Sequence, residues 1–372
     1  MNENPHTSIV TGDADGISQA VAHLRSGRTV ALPTETVYGL AADAFNSAAV
    51  EAIFVAKKRP HSDPLIVHVG ESHRTLAKLA ADGIVDGSKL TEVARRIVEG
   101  LTARFWPGPL TLLLPKGPKI DSSITAGHAL VAVRHPDHPV FMEILARLGQ
   151  PIVAPSANLF GRISPTCADH VYRQLNGRIP LIVDGGECRV GLESTILRIE
   201  SDGNLTLLRP GGTPVEGIEA ALGRRVRLLD AKEAENRAPL APGCMSSHYA
   251  PTKPTRMIAS LDDVKALGEA MTAGHDFPTR VGLLLTRQGS TLAPTLSFTF
   301  PATRWDIEHL PVDDQGRDAA AGLFSALHRL DTLPLELILV ETPTSNQHLW
   351  RATRDRLKRA TARSDQLAVP KY

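Results

Sequence analysis

Several short polar segments in the first 212 residues have the side chains of a small-molecule site, and each follows or ends an apolar run. In Leu32–Leu40, which reads L-P-T-E-T-V-Y-G-L, the hydroxyls of Thr34 and Thr36 flank the carboxylate of Glu35, and Tyr38 adds a phenol. Because α/β proteins bind ligands at strand ends, this cluster is a candidate ligand contact. A plain turn, with threonines bonded to the backbone, explains the same residues equally well.

Basic residues follow in A-K-K-R-P, where Lys57 and Arg59 stand at the C-terminal end of a predicted helix. They either complement the helix macrodipole or point towards an anionic ligand, with Arg as a planar fork and Lys as a point charge. His68 lies in the next apolar run, where a core histidine is the plain alternative. Arg134 ends another apolar run, and this buried charge needs an anionic partner, either a ligand carboxylate or an internal salt bridge.

The most informative segment is A-P-S-A-N, in which a buried strand leads to the hydroxyl of Ser156 and the amide of Asn158. Ser164 and Pro165 then predict a helix N-cap followed by proline at the first helical position. Since a helix N-terminus offers free backbone amides, this stretch is predicted to hold phosphate without a P-loop.

Two glycine-flanked segments, G-L-E-S-T-I and L-R-P-G-G, bring Ser194 and Arg209 to further strand ends. Together the segments predict one concave site for a small ligand that carries carboxylate and phosphate groups. The sequence has no P-loop, no dinucleotide-binding glycine motif, no H-E-x-x-H and no G-x-S-x-G, so nucleotide chemistry needs a less common phosphate-binding scheme. His135 and His138 lie close together between prolines, and we predict no metal ligands.

The elements that position these segments follow from hydrophobic patterning. Residues 14–212 alternate short apolar runs with amphipathic helices, which favours an α/β domain with a mixed sheet. Residues 213–254 are dense in proline and charge and are predicted to be a linker. Residues 255–372 contain largely apolar runs at Val281–Leu285 and Leu335–Val340, which are typical of a parallel sheet in a small Rossmann-like domain.

Composition narrows the class of protein. The 372 residues carry a net charge of only +1, which argues against nucleic acid as the main ligand. The three cysteines are far apart and form no C-x-x-C, so a reducing cytosol fits. No apolar stretch approaches the ~20 residues that span a bilayer, and the N-terminus does not resemble a secretory signal. We therefore expect a soluble, cytoplasmic protein with no membrane partner.

Taken in order, the strings L-P-T-E-T-V-Y-G-L, K-K-R-P, P-L-I-V-H, P-G-P-L-T, V-A-V-R, A-P-S-A-N, E-S-T-I and R-P-G resemble the YrdC-like family over residues 14–212. The later string H-Y-A-P, at residues 248–251, is similar to the linker of the long form of that family. The resemblance implies an α/β fold: a YrdC-like domain with a twisted mixed sheet, followed by a small Rossmann-like C-terminal domain at residues 255–372.

The resemblance also implies an activity. A nucleotidyltransferase of this kind makes threonylcarbamoyl-AMP and pyrophosphate from L-threonine, bicarbonate and ATP. Mg²⁺ is expected to bind the triphosphate of ATP and to arrive with it. Separate partner proteins would then transfer the threonylcarbamoyl group to an adenosine beside the tRNA anticodon. Direct tRNA binding by this chain is expected to be weak or absent.

Ligand contacts are carried over from the family residue by residue. For threonine they are Thr36, His68, Arg134, the backbone at Ala154, and Ser194. For the nucleotide they are Arg59, Asp63, the backbone near Leu130, Ser156, Asn158, Ser164, Arg209 and, from the linker, His248 or Tyr249. Lys57 and Arg59 are the predicted catalytic residues, which stabilise phosphoryl charge. Asp63 would oppose phosphate, so it is expected to contact ribose, base, backbone or a magnesium shell.

Two other functions remain open at this stage. One is a carbamoyl transferase that acts through a carbamoyl-adenylate, although such proteins usually carry acylphosphatase and zinc-finger modules that this sequence lacks. The other is an RNA-binding factor, which the small net charge and the absence of an RNP-type aromatic motif disfavour.

Overall fold

The computed structural model describes residues 6–229, 241–243, 248–271, 277–287 and 289–366. These residues fall into two compact units, one from the ranges 1–160 and 164–245 and the other from the ranges 161–163 and 246–372. Within the described ranges, no helix combines the length and the apolar composition needed to cross a membrane.

The first unit is built on a mixed sheet of 11 strands. In chain order the strands are β1 (Ser8–Thr11), β2 (Val30–Leu32), β3 (Gly39–Asp43), β4 (Ile66–His68), β5 (Leu110–Pro115), β6 (Leu130–Arg134), β7 (Ile152–Val153), β8 (Leu181–Asp184), β9 (Thr195–Ile199), β10 (Leu205–Arg209) and β11 (Arg227–Leu228). Their order across the sheet is β1-β8-β2-β3-β7-β4-β6-β5-β9-β10-β11. The sheet contains both parallel pairs, such as β4–β6, and antiparallel pairs, such as β5–β6, which confirms the predicted mixed sheet.

Helices of this unit connect the strands. They are α1 (Ala14–Arg25), α2 (Ser47–Lys57), α3 (Leu76–Ala81), α4 (Glu92–Phe105), α5 (Pro139–Leu148), α6 (Ala168–Leu175) and α7 (Val215–Leu222), with short 3₁₀ helices at Glu71–His73 and Gly87–Lys89. Helix α2 illustrates why the chain folds this way. The Asn46 side chain accepts a hydrogen bond from the Ala49 amide as an N-cap, and Lys58 ends the helix in a left-handed conformation just before Pro60.

Side chains alternate between the two faces of the sheet, as expected for strands. Ala31 and Val67 point into the larger hydrophobic core, which includes residues of α2 and α4. Val30 and Leu32 point into a smaller core on the opposite face, which includes residues of α1 and α5. On that second face, beyond this smaller core, lies a small apolar cluster formed by Ile66, Ala132, Leu113 and Ile196, from strands β4, β6, β5 and β9, together with Ala241.

Two details of the sequence interpretation need correction. The predicted linker begins too early, because residues 215–228 contribute helix α7 and strand β11 to the first unit. The predicted N-cap at Ser164 is wrong: α6 begins only at Ala168, after Cys167. The Ser164 hydroxyl donates to the Glu193 carboxylate, and Ser164 lies three residues before Cys167, the N-cap position of α6.

The second unit contains a sheet of four parallel strands in the order β12-β15-β13-β14, as the predicted Rossmann-like domain requires. The strands are β12 (Thr255–Ile258), β13 (Arg280–Leu285), β14 (Arg304–His309) and β15 (Leu337–Glu341). The helices are α8 (Leu261–Met271), α9 (Leu292–Thr299), α10 (Arg317–Thr332) and α11 (His348–Gln366). The all-apolar runs of β13 and β15 are buried, which explains why they read as continuous hydrophobic stretches.

Candidate active site

Four buried polar residues lie side by side at one end of neighbouring strands, and we call them the polar row: His68, Arg134, Thr111 and Ser194. His68 pairs with Arg134 across β4 and β6, and Arg134 pairs with Thr111 across β6 and β5. The Thr111 hydroxyl lies 2.7 Å from that of Ser194, which immediately precedes β9. Three of the predicted threonine contacts are therefore brought together by strand register.

The same face of the sheet is apolar two residues away from the polar row on each of strands β4, β6 and β5. Ile66, Ala132 and Leu113 belong to the small apolar cluster, and because side chains alternate they share a face with His68, Arg134 and Thr111. The Ala154 amide donates to the Ile66 carbonyl at 3.3 Å, which places the predicted backbone contact beside this cluster. The face thus changes from apolar to charged along the strands.

Arg134 has an internal partner. Its Nη2 lies 2.7 Å from Glu35 Oε1, with both side chains almost completely buried. Its Nε donates to the Gly108 carbonyl at 3.3 Å. Of the two explanations that the sequence left open, the internal salt bridge is present. The Glu35 oxygens nevertheless accept no hydrogen bond of regular geometry from the described residues, so the pair is held chiefly by charge.

His68 is uncharged at neutral pH. Burial, followed by the nearby positive charge of Arg134, holds the pKa of His68 well below its ordinary value of 6.5. Its Nδ1 lies 3.2 Å from the Ile66 carbonyl, and its ring packs against Phe141 with 5.4 Å between the ring centroids. A neutral imidazole adds no positive charge beside Arg134, and it can exchange hydrogen bonds with an amine or a hydroxyl.

Thr36 lies in a rigid turn next to Glu35. The Thr34 hydroxyl accepts hydrogen bonds from the Thr36 and Val37 amides and lies 2.8 Å from the Thr36 hydroxyl. The turn is fixed from outside as well, because the Val190 amide donates to the Glu35 carbonyl at 2.8 Å. The turn predicted as the plain alternative is therefore present, and it also supplies the partner of Arg134.

Lys57 does not point outwards from the end of α2, as a direct phosphate contact would require. Its ammonium donates to the Ser156 carbonyl and, at 2.6 Å, to the Asn158 carbonyl. Burial, followed by the charge of Arg59, holds the pKa of Lys57 well below its ordinary value. Lys57 thus fixes the loop that carries Ser156 and Asn158, and its catalytic role stays a prediction.

Arg59 and Asp63 form a second buried pair. Arg59 Nη2 lies 2.9 Å from Asp63 Oδ2, and the same guanidinium donates to the carbonyls of Asp63 and Pro64. Burial raises the pKa of Asp63, and the charges of Arg59, Lys57 and Arg209 act against that shift. In this structure the Asp63 carboxylate faces Arg59. Its contact with ribose, base, backbone or a magnesium shell stays a prediction.

Arg209 joins the predicted nucleotide contacts to the predicted threonine contacts. Its guanidinium donates to the Ser194 carbonyl at 2.9 and 3.1 Å and to the Ser194 hydroxyl at 3.1 Å. Its Nη1 donates to the Pro242 carbonyl at 2.9 Å. Ser194 therefore touches both Thr111 of the polar row and Arg209.

Other predicted contacts lie apart from the polar row. Leu130 begins β6 on the same face as Arg134 but four residues earlier, about 13 Å away along the strand. Ser156 pairs with Gly39 through an isolated bridge beyond β7.

His248 and Tyr249 belong to the second unit. There the His248 amide donates to the Arg359 carbonyl, and the Tyr249 ring packs against Phe324 and beneath the Arg356 guanidinium. Their role over a nucleotide stays a prediction.

Sequence reasoning left three residues off the list of site residues. Glu35 and Glu193 are buried carboxylates that contact Arg134 and Ser164, and Thr111 links the polar row to Ser194. The available signal was a lone acidic or hydroxyl residue at the end of an apolar run, in T-E-T, G-L-E-S-T and P-L-T-L. Among the described residues, no group of three or more His, Cys, Asp or Glu side chains is placed to hold a metal ion.

Comparison with known proteins places this site in a family. Residues 22–211 match the Sua5–YciO–YrdC family model, which is described as "Telomere recombination", and residues 213–362 match the model described as "Threonylcarbamoyl-AMP synthase, C-terminal domain". The Bacillus subtilis threonylcarbamoyl-AMP synthase is 39% identical over 328 residues, which cover 88% of this chain and 87% of the relative. The Schizosaccharomyces pombe threonylcarbamoyl-AMP synthase is 34% identical over 358 residues, covering 90% of this chain and 85% of that protein.

A solved structure agrees with the sequence relatives. The crystal structure of Pyrococcus abyssi Sua5 complexed with L-threonine is similar with a TM-score of 0.78 at 33% identity, and the match covers 96% of this chain and 98% of the other. Both units of the chain are thus matched by relatives over nearly their whole length. The chain belongs to the threonylcarbamoyl-AMP synthase family, in the form that carries the additional C-terminal domain.

Proposed function

We propose that this chain is a nucleotidyltransferase that makes threonylcarbamoyl-AMP and pyrophosphate from L-threonine, bicarbonate and ATP. The observation that carries the proposal is the polar row, in which Thr111 on β5 lies between Arg134 on β6 and Ser194 just before β9, and Ser194 also contacts Arg209. Ser194 therefore links the polar row, where Arg134 is suited to bind a carboxylate, to Arg209, which is suited to bind a phosphate. Family membership and the threonine-bound relative support the same assignment.

Charge supports the assignment of ligands. The side chains of Lys57, Arg59, Arg134 and Arg209 are buried, and the carboxylates of Asp63, Glu35 and Glu193 are buried among them. Such a concentration of buried charge costs folding free energy and is typical of a functional site. The cations suit the carboxylate of an amino acid and the phosphates of ATP.

The spacing between the predicted threonine and nucleotide contacts also supports the proposed ligands. The polar row and Leu130 share one face of the sheet, with about 13 Å between Arg134 and Leu130 along β6. A threonylcarbamoyl-adenylate is an elongated molecule with the amino acid at one end and the nucleoside at the other. The apolar cluster between these two positions would exclude water from the reacting groups.

The proposed chemistry needs no covalent intermediate on the protein. The threonine ammonium loses a proton, and the amine adds CO₂ derived from bicarbonate to form a carbamate. A carbamate oxygen then bonds to the α-phosphorus of ATP, and the bond from that phosphorus to the β-phosphate oxygen breaks to release pyrophosphate. The protein contributes positioning and charge stabilisation.

Individual residues have separate tasks in this proposal. Arg134 binds the threonine carboxylate, while neutral His68 bonds to its amine or hydroxyl. Arg59 and Arg209 stabilise phosphoryl charge, and Lys57 holds the loop that presents Ser156. Mg²⁺ is proposed to arrive with ATP as part of that substrate. Separate proteins would use the product to modify an adenosine beside the tRNA anticodon.

The test is pyrophosphate release from ATP by the purified chain, with omission controls. We expect release only when L-threonine and bicarbonate are both present. Carbamoyl phosphate should not replace them, and a product whose mass includes carbon from labelled bicarbonate should accumulate. Release that is indifferent to threonine, or that is driven by carbamoyl phosphate, would contradict the proposal.

A further inference from the structure

Glu35 stands out because it is a buried carboxylate whose only ion-pair partner within the described residues is Arg134. It is 1% exposed, and its Oε1 lies 2.7 Å from Arg134 Nη2. A carboxylate at this depth is kept in place only if a second interaction offsets its desolvation. The charge of Arg134 provides that interaction, so each residue depends on the other.

The backbone of Glu35 is fixed on both sides. Its carbonyl accepts from the Val190 amide at 2.8 Å, and the Thr34 hydroxyl accepts from the two amides that follow Glu35. Shortly after it, the Tyr38 amide donates to the Pro165 carbonyl at 2.9 Å. Since the turn cannot shift easily, the carboxylate is a fixed point against which a flexible arginine can be held.

The guanidinium of Arg134 is held at two of its three nitrogens. Nη2 faces Glu35, and Nε donates to the Gly108 carbonyl at 3.3 Å. Neither contact engages Nη1. An arginine side chain has many rotamers, so fixing its orientation before a ligand binds lowers the entropic cost of binding.

We propose that Glu35 is a positioning residue that fixes the Arg134 guanidinium so that Nη1 meets the carboxylate of the amino-acid substrate. The inference rests on the proposed function, because it assumes that Arg134 binds that carboxylate. Glu35 does not touch the substrate in this account. It acts only through Arg134, and a double-mutant cycle measures such dependence.

The experiment uses Glu35→Gln, Arg134→Gln and the double variant of the full chain, with KM for L-threonine and for ATP measured separately. Glu35→Gln keeps the shape of the side chain and removes its charge. We expect its L-threonine KM to rise about tenfold, with ATP KM changed less than about twofold. When Arg134 is already Gln, the same change at Glu35 should move L-threonine KM less than about twofold.

Glu92→Gln is the matched control, because Glu92 forms an exposed ion pair with Arg96 at 3.1 Å. It should leave both KM values unchanged, since exposed pairs contribute little. If Glu35→Gln does not fold, Glu35→Asp takes its place. Asp keeps the charge but shortens the side chain, and it should raise L-threonine KM by a smaller factor.

Three outcomes would overturn the proposal. The first is an L-threonine KM that stays at the wild-type value in both Glu35 variants. The second is a rise by the same factor with and without Arg134, and the third is a rise together with ATP KM. Failure of the proposed function is a different result, because the wild-type chain itself would then show no threonine-dependent reaction.

Discussion

Each of the two units contains a buried glutamate paired with an arginine near the end of an interior strand, and the two pairs differ in how they are bonded. Glu341, which ends β15, accepts hydrogen bonds from the Thr286 and Arg287 amides, from Arg287 Nε at 2.7 Å and from the Ser290 hydroxyl at 2.7 Å. Glu35 faces Arg134 at 2.7 Å but accepts no hydrogen bond of regular geometry from the described residues.

This difference in hydrogen bonding indicates that the Glu341–Arg287 pair is structural and that the Glu35–Arg134 pair is functional. A buried carboxylate with four donors is satisfied by its own domain, so the stability of the fold explains Glu341. A buried carboxylate without regular donors is less favourable, and the fold alone gives no reason to keep Glu35. Loss of the first should therefore affect unfolding, and loss of the second should affect ligand binding.

The largest effect is expected from Arg134→Ala, which removes the proposed carboxylate contact. Loss of a buried charged contact to substrate should lower kcat/KM for L-threonine about 100-fold or more. Steady-state pyrophosphate release at varied threonine concentration measures it. If Arg134→Ala retains nearly normal kcat/KM, then Arg134 and Glu35 are as structural as the pair in the second unit.

Glu341→Gln should act on stability instead. The Gln oxygen can still accept from the Thr286 and Arg287 amides, but its NH2 group would then face Arg287 Nε, and such a mismatch costs about 2 kcal/mol of unfolding free energy. Trp305 and Trp350, both in the second unit, provide a fluorescence signal for urea unfolding. The midpoint should fall while L-threonine KM stays unchanged. An unchanged midpoint would show that four hydrogen bonds do not make this pair structural.

Lys57→Ala and Arg59→Ala each test the nucleotide side of the site. Each should cut threonine-dependent pyrophosphate release at least ~10-fold, the loss of one good charge contact. The reasons differ: Arg59 is the proposed phosphoryl contact, whereas Lys57 holds the Ser156 and Asn158 carbonyls. Near-normal rates in both variants would remove these residues from the account.

The smallest effect concerns pH and His135. This ring is fully buried, and burial holds its pKa below 6.5. As pH falls below 6.5, His135 becomes protonated in the unfolded chain but stays neutral in the folded chain. Burial of His135 therefore lowers the free energy of unfolding at acid pH and has no effect on it well above pH 6.5. His135→Leu should remove that loss, which is at most about 1.4 kcal/mol at pH 5.5.

Urea unfolding of wild type and His135→Leu at pH 7.5 and pH 5.5 gives the comparison. The difference between the two proteins should shift in favour of the variant at the lower pH. Equal pH dependence would mean that His135 is protonated in the folded state, close to Glu35.

Local patterns predicted most of the elements. The Asn46 cap and Pro60 predicted α2, and the apolar runs predicted β6 and β13, because these signals reside in adjacent residues. The start of the linker was wrong because α7 is only eight residues long and precedes a segment dense in charge and proline. A short helix that packs on a sheet is defined by its tertiary contacts more than by its own sequence.

The site was predicted as a set of residues but not as a set of contacts. The apolar run predicted that Arg134 ends a strand, as it does, yet its partner Glu35 lies 99 positions earlier in the chain. Ser164 followed by Pro165 is a typical helix-start signal, yet α6 begins only at Ala168, and the Ser164 hydroxyl donates to Glu193, which lies 29 positions later. Partners far apart in sequence are decided by strand order and register, which residue spacing does not reveal.

A crystal structure of the chain with L-threonine and a non-hydrolysable ATP analogue tests the central claim most directly. The account predicts the threonine carboxylate on Arg134 beside His68 and Ser194, with the α-phosphate near Arg59 and Arg209. Threonine or nucleotide bound away from the polar row, with Arg134 still facing only Glu35 and Gly108, would contradict it.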